Sequence, residues 1–152
     1  MTEMYRKTPS LMERVVTREN LEAAVKSVKR NKGAAGIDGM TVFEIEEHIN
    51  EYYIPLRNKL LNGTYKPQPV KRVEIPKPNG DKRKLGIPCV RDRVVQQAIR
   101  QVIEPIIDPQ FMGNSHGFRP GKGTHSALKQ CVKYYEEGYK VVLVNSNPAT
   151  IM

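Results

Sequence analysis

The chain has 152 residues, 39% of them apolar, with 25 Lys and Arg against 16 acids and a formal charge of +9. This composition excludes a disordered chain, and the length allows one domain with a modest core or part of a larger protein. The charge points to a polyanionic partner, nucleic acid ahead of membrane, and no apolar run is long enough to cross a bilayer.

Residues 1–16 read as a loosely ordered arm. Thr17 is placed to cap a helix reaching about Arg30, with Leu21, Ala24, Val25 and Val28 on one face. Asn31-Lys32-Gly33 stops it. Three glycines between Gly33 and Gly39 make the next segment a loop. Thr41 with Glu44 has the spacing of a capping box. The helix it opens carries Ile45, Ile49, Tyr52 or Tyr53, Leu56 and Leu60 inward. Pro55 is placed to kink or split that helix, and Asn62-Gly63 ends it.

Tyr65 to Pro88 reads as a basic hairpin, with Val70, Val73 and Ile75 before the turn and Leu85 and Ile87 after it. Asn79-Gly80 is a strong two-residue hairpin signal. Nine basic residues face three acids between Lys66 and Arg93, so most of the net charge sits here. Arg91 to about Glu104 has apolar residues at helical spacing from Val94 to Ile107, and Pro105 and Pro109 close it. A glycine-rich stretch follows from Phe111 to Gly123. Thr124 is placed to cap a last helix to Glu137, with Leu128, Cys131, Val132 and Tyr135 inward and Gly138 at its end. Val141 to Val144 looks like the start of a buried strand without a partner, which suggests a truncated domain. Cys89 and Cys131 stand in no metal-ligand spacing and read as reduced core thiols of a cytosolic protein.

Three segments carry chemistry. Lys77 and Arg83 flank the hairpin tip, where a point charge and a planar fork can converge on one anion such as a nucleoside triphosphate. The same turn also reads as a solvated basic loop. The glycines of the Gly33–Gly39 loop allow close approach of backbone N–H groups to phosphate, or serve only as a turn. Asp38 reads as an anchor of its own loop. In Gly117-Phe118-Arg119-Pro120, Arg119 and the following Lys122 precede a helix N-terminus, a setting that favours anions. Phe118 has two open readings, stacking on a base or sugar and packing under its loop. His116 and His125 bracket the segment and read as structural or surface groups. There is no Walker loop, nucleophile elbow or His-Glu-x-x-His, and no carboxylate pair on a strand to hold two magnesium ions.

Together these segments resemble the reverse transcriptases encoded by bacterial group II introns. Asn31 to Gly39 is similar to their N-terminal extension loop, with Ala35 where a proline is usual. Ile75 to Pro88 is similar to the fingers hairpin, Asp92 to Ala98 to the helix after it, and Gly117 to Pro120, with His125 and Ala127, to the next block. The resemblance runs over roughly residues 13–142. It implies an α+β fold, helices around a basic antiparallel β-hairpin with the palm incomplete. It divides the chain into an arm at 1–16, an extension-and-fingers region at 17–142 and a tail at 143–152.

The resemblance also implies roles. Lys77 and Arg83 match the residues that hold the triphosphate of an incoming dNTP. Lys71 and Arg72 match positions near the template strand. The loop with Lys32, Gly33 and Gly36 matches the lid over template and primer. Arg119 and Lys122 belong to the block lining the template. The implied partners are intron and template RNA, primer DNA and dNTP, in the bacterial cytoplasm. The full-length family uses Mg2+, held by an Asp-x-Asp strand and a Tyr-x-Asp-Asp turn. Here Val144 stands about where the first aspartate belongs, so the chain is expected to hold no Mg2+, to bind RNA and to lack polymerase activity alone. The alternative is a stand-alone RNA-binding or splicing module without enzymatic activity. The run Val142 to Met152 instead resembles a short piece of the carbamoyl-phosphate synthetase large chain, which suggests joined reading frames or a decayed gene copy. Taken at face value, that tail gives a third reading, part of an ATP-using ligase, which the residues before Val141 do not support.

Overall fold

A computed structural model describes residues 9–78 and 80–141. The chain divides into two compact units, residues 1–107 and 108–152. The extension-and-fingers region expected at 17–142 spans both.

The first unit opens with helix α1 (Leu11–Val15), inside the stretch expected to be an arm. Ser10 and Glu13 form a full capping box, the Ser10 hydroxyl accepting from Glu13 N–H and the Glu13 carboxylate from Ser10 N–H. Val15 and Val16 are buried, which fixes the helix to the core. Helix α2 (Arg18–Asn31) starts at Thr17, whose hydroxyl accepts from Asn20 N–H at 3.3 Å. Its buried face is Leu21, Ala24, Val25 and Val28, as the 3.6-residue spacing predicts.

Helix α3 (Ile45–Leu61) buries Ile45, Ile49, Leu56 and Leu60. Half of the expected box at its start is present: Glu44 accepts from the Thr41 N–H at 2.7 Å and from the Thr41 hydroxyl at 2.6 Å. Pro55 neither ends nor divides α3. It lies on the exposed side, so the carbonyl it leaves unpaired faces water. The helix closes in a Schellman turn, Gly63 N–H to Leu60 and Thr64 N–H to Lys59, with Gly63 at φ 66°.

Strands β1 (Lys71–Pro76) and β2 (Lys82–Ile87) form an antiparallel pair, Lys71 opposite Ile87 and Pro76 opposite Lys82. Helix α4 (Val90–Ile107) follows directly and packs Val90, Val94, Val95, Ala98 and Val102 into the core, chiefly against α2. Pro105 does not close it. The helix runs two residues further, again with the proline exposed, and Ile106 and Ile107 stand outside the core. A polar staple crosses this core. Asn20 Nδ2 donates to the carbonyls of Val15 and Ala98, and Gln101 Nε2 donates to Asn20 Oδ1.

The second unit has a 3-10 turn at Asp108–Gln110, a long loop, and helix α5 (Thr124–Glu136). Gly123, not Thr124, is the cap of α5. Ser126 Oγ accepts from Gly123 N–H at 2.9 Å and Thr124 is already helical. Gly138 ends α5 in a second Schellman turn, with Tyr139 N–H on Tyr134 and Gly138 N–H on Tyr135. The face expected inward, Leu128, Cys131, Val132 and Tyr135, is exposed. Cys131 is therefore no core thiol, while Cys89 is fully buried. Val141 is exposed, and the rest of the expected strand, with the tail, lies outside the described residues.

Candidate nucleic-acid interface

The hairpin buries little of itself. Val73, Leu85 and Ile87 are half-buried, and every other residue of the two strands is exposed. Its sequence signal, Asn79-Gly80, implies a two-residue turn, but Asn79 lies outside the described residues and the closing bonds mark a longer loop. Lys77 N–H donates to the Asp81 carbonyl at 2.7 Å, and Gly80 N–H to the Lys77 carbonyl at 3.1 Å. Pro78 explains the difference. A two-residue turn would make Pro78 and Asp81 the closing pair, and proline has no N–H to close it.

The register decides which charges share a face, because strand side chains alternate. Lys71, Val73, Ile75, Arg83, Leu85 and Ile87 lie on one face, and Lys77 stands one residue past the end of β1. Arg72, Glu74, Lys82 and Lys84 lie on the other, where Lys82 pairs with Glu74 at 3.0 Å. Lys77 and Arg83 are both exposed near the tip. Lys71 and Arg72 are exposed on opposite faces.

The glycine loop is tied to the start of α4. A Cβ at Gly36 would lie 2.6 Å from Cys89 Cα, and one at Gly33 2.6 Å from Arg93 Nη1. Arg93 Nη2 donates to the Ala34 carbonyl at 2.6 Å. Asp38 does anchor its own loop, accepting from Met40 N–H at 3.3 Å. Lys32 leaves α2 with φ 47° and lines a cleft of about 290 Å3 with Asn31, Arg93, Gln96, Gln97 and Arg100. Three cations and three amides face that cleft, and no acid does.

The same helix start anchors the base of the hairpin. Asp92, only 2% exposed, accepts from Gln68 N–H at 2.9 Å and from the Tyr65 hydroxyl. Burial first, and this bond second, push the Tyr65 phenol well above its usual range. Nearby, Lys59 donates to the Tyr52 hydroxyl at 2.8 Å and lowers its pKa, while the Arg91 guanidinium lies 5.9 Å from the Tyr52 ring. Asp92, Arg93 and Tyr65 are the positioning residues that sequence reasoning passed over. The signal for Asp92 is an acid in the first turn of a helix with a clear apolar face.

In the second unit, Arg119 is a staple. Its five N–H donors all go to its own loop: Asp108 Oδ1, Oδ2 and carbonyl, and the Met112 and Ser115 carbonyls, at 2.8–3.3 Å. The Arg119 bond holds the Asp108 carboxyl below its ordinary value. Lys122 donates to the Gly113 carbonyl. The arginine and lysine expected to line a template are here spent on the loop itself, because its carbonyls need donors. Phe118, for which stacking and packing are both open from the sequence, is fully exposed and does not pack under its loop. His116 bonds Ser126 at 2.8 Å, and His125 is exposed.

A metal pair of the kind the resemblance implies does not fit the donors present. Among the described residues no three His, Cys, Asp or Glu side chains converge, and Asp108 is the last aspartate of the sequence.

No family profile matches the chain. Several curated proteins do. Protein YkfC of Escherichia coli K12 is 40% identical over 119 residues, which is 76% of this chain and 31% of that protein. The group II intron-encoded protein LtrA of Lactococcus lactis is 41% identical over 114 residues, 70% of this chain and 18% of its own length. The putative COX1/OXI3 intron 2 protein of Saccharomyces cerevisiae is 34% identical over 116 residues, 74% of this chain and 13% of its own length. The chain spans less than a third of the length of these relatives.

Proposed function

The chain belongs with the group II intron-encoded proteins, and from that premise we propose that it grips RNA and nucleotide phosphates as the extension-and-fingers part of a reverse transcriptase/maturase. The observation that supports this reading is the hairpin itself, with Arg83 exposed opposite Ile75 and Lys77 exposed just past the end of β1. A Lys and an Arg at that distance from the core meet a triphosphate without losing hydration first. Lys71 and Arg72 at the hairpin base, with Lys32 at the basic cleft, extend the positive surface toward template RNA and primer DNA. The bacterial cytoplasm is the compartment this reading implies. Among the described residues no helix is long and apolar enough to cross a membrane.

By the same reading these 152 residues bind substrate and perform no nucleotidyl transfer by themselves. Transfer of this kind uses two metals between carboxylates, and the donor set here does not supply them. A second reading, a splicing helper that only binds RNA, is favoured by the closed core of the first unit.

The test is RNA affinity across a salt series. Wild-type chain should lose affinity steeply with salt, because bound cations release counterions from phosphate. The Lys77→Ala/Arg83→Ala pair should flatten the log–log slope by about 0.7 per lost single-strand contact and weaken dNTP binding. An unchanged slope and unchanged dNTP affinity would refute the grip.

A further inference from the structure

Phe118 has the highest exposure of any large apolar side chain among the described residues, 106% of its reference. It is also one of two described non-glycine residues with a left-handed backbone, at φ 55°. An aromatic residue held there is strained and persists only where its surroundings over-determine it. They do so here. Arg119, the next residue, is locked by five hydrogen bonds to Asp108, Met112 and Ser115. His116, two residues before, is bonded to Ser126.

The ring gains no packing in return for this strain. The flanking sequence is basic: from Pro109 to Tyr135 there are four Lys and Arg and two His, and the nearest preceding acid, Asp108, is paired with Arg119. The nearby Phe111 ring is already faced by the Arg119 guanidinium at 5.4 Å. A fully exposed flat ring on a braced loop of net positive charge has the make-up of a stacking platform for single-stranded nucleic acid.

We propose that Phe118 stacks on an unpaired base of the bound RNA, so that the second unit reads bases while the hairpin grips phosphates. This rests on the RNA-binding reading above. The site takes any base, because every base has a π-face.

The sequence contains no Trp, so Phe118→Trp places a single fluorophore on the loop. The full 152-residue variant is titrated with a twelve-residue oligouridine and with an abasic ribose-phosphate oligomer of the same length. Oligouridine should quench the emission and the abasic oligomer should leave it unchanged. In parallel, Phe118→Ala should weaken oligouridine binding about 5- to 150-fold, the range of one base–aromatic stack, at unchanged salt slope. No quenching, or equal quenching by both oligomers, would overturn the stacking while salt-sensitive RNA binding stood. Loss of all RNA binding in the wild-type chain would overturn both proposals.

Discussion

Asp92 shows how one residue positions a surface it does not belong to. A buried carboxylate must be matched by donors, and its two, Gln68 N–H and the Tyr65 hydroxyl, both lie on the strand-free approach to β1. Asp92→Ala should leave the half-buried Tyr65 hydroxyl and the Gln68 N–H without their acceptor. The expected loss is about 1–3 kcal/mol in urea unfolding, with Asp92→Asn recovering part of it through its remaining acceptor. A change within experimental error would mean water replaces the carboxylate. The chemistry-bearing cations divide at this scale too. Lys77 and Arg83 are exposed at the tip, whereas Arg119 gives every donor to its own loop. Types and spacings in the sequence mark Lys77 and Arg83 for a triphosphate and Arg119 for the template region. Only the positions of carbonyls and Asp108, which arrive from eleven residues away, separate a free cation from a staple.

Elements with local signals were legible. Thr17, Asn62-Gly63 and Gly138 end or begin helices where the sequence places them, because caps and left-handed glycines act within a few residues. The misjudged elements have equally local reasons. Ser10 and Glu13 box α1, yet five residues make too short a period to read. Pro55 and Pro105 sit inside helices because each faces solvent. Pro78 moves the hairpin turn from two residues to three. The loop before α5 also has a defined response to acid. Arg119 lowers the Asp108 carboxyl from its ordinary 3.8. A carboxyl whose folded value is depressed stabilises the fold above its unfolded value and loses that contribution as pH falls through the folded one. Loop amides between Asp108 and Arg119 should therefore keep their exchange protection at about pH 5 and lose it below about pH 3.8. Protection that persists at about pH 2 would show that the carbonyl bonds alone hold the loop.

The whole molecule is two units, each with its own logic. The first has a closed core shared by four helices and an exposed basic ribbon. The second exposes the apolar face of α5. Its proposed division of labour gives a direct activity test: primed RNA template, dNTP and Mg2+ should yield no extension product from the 152-residue chain. Extension above a no-protein control would show that carboxylates among these residues can hold the metals after all. The sequence by itself determined helices α2 to α5, the basic hairpin and the kinship with intron-encoded proteins, because caps, periodicity and charge are encoded over short stretches. Only the tertiary structure decided that Phe118 stands in solvent, that Arg119 is a staple and that Asp92, Arg93 and Cys89 hold the glycine loop and the hairpin to one helix start. Burial and hydrogen-bond pairing depend on which distant surfaces meet, and no local pattern records that.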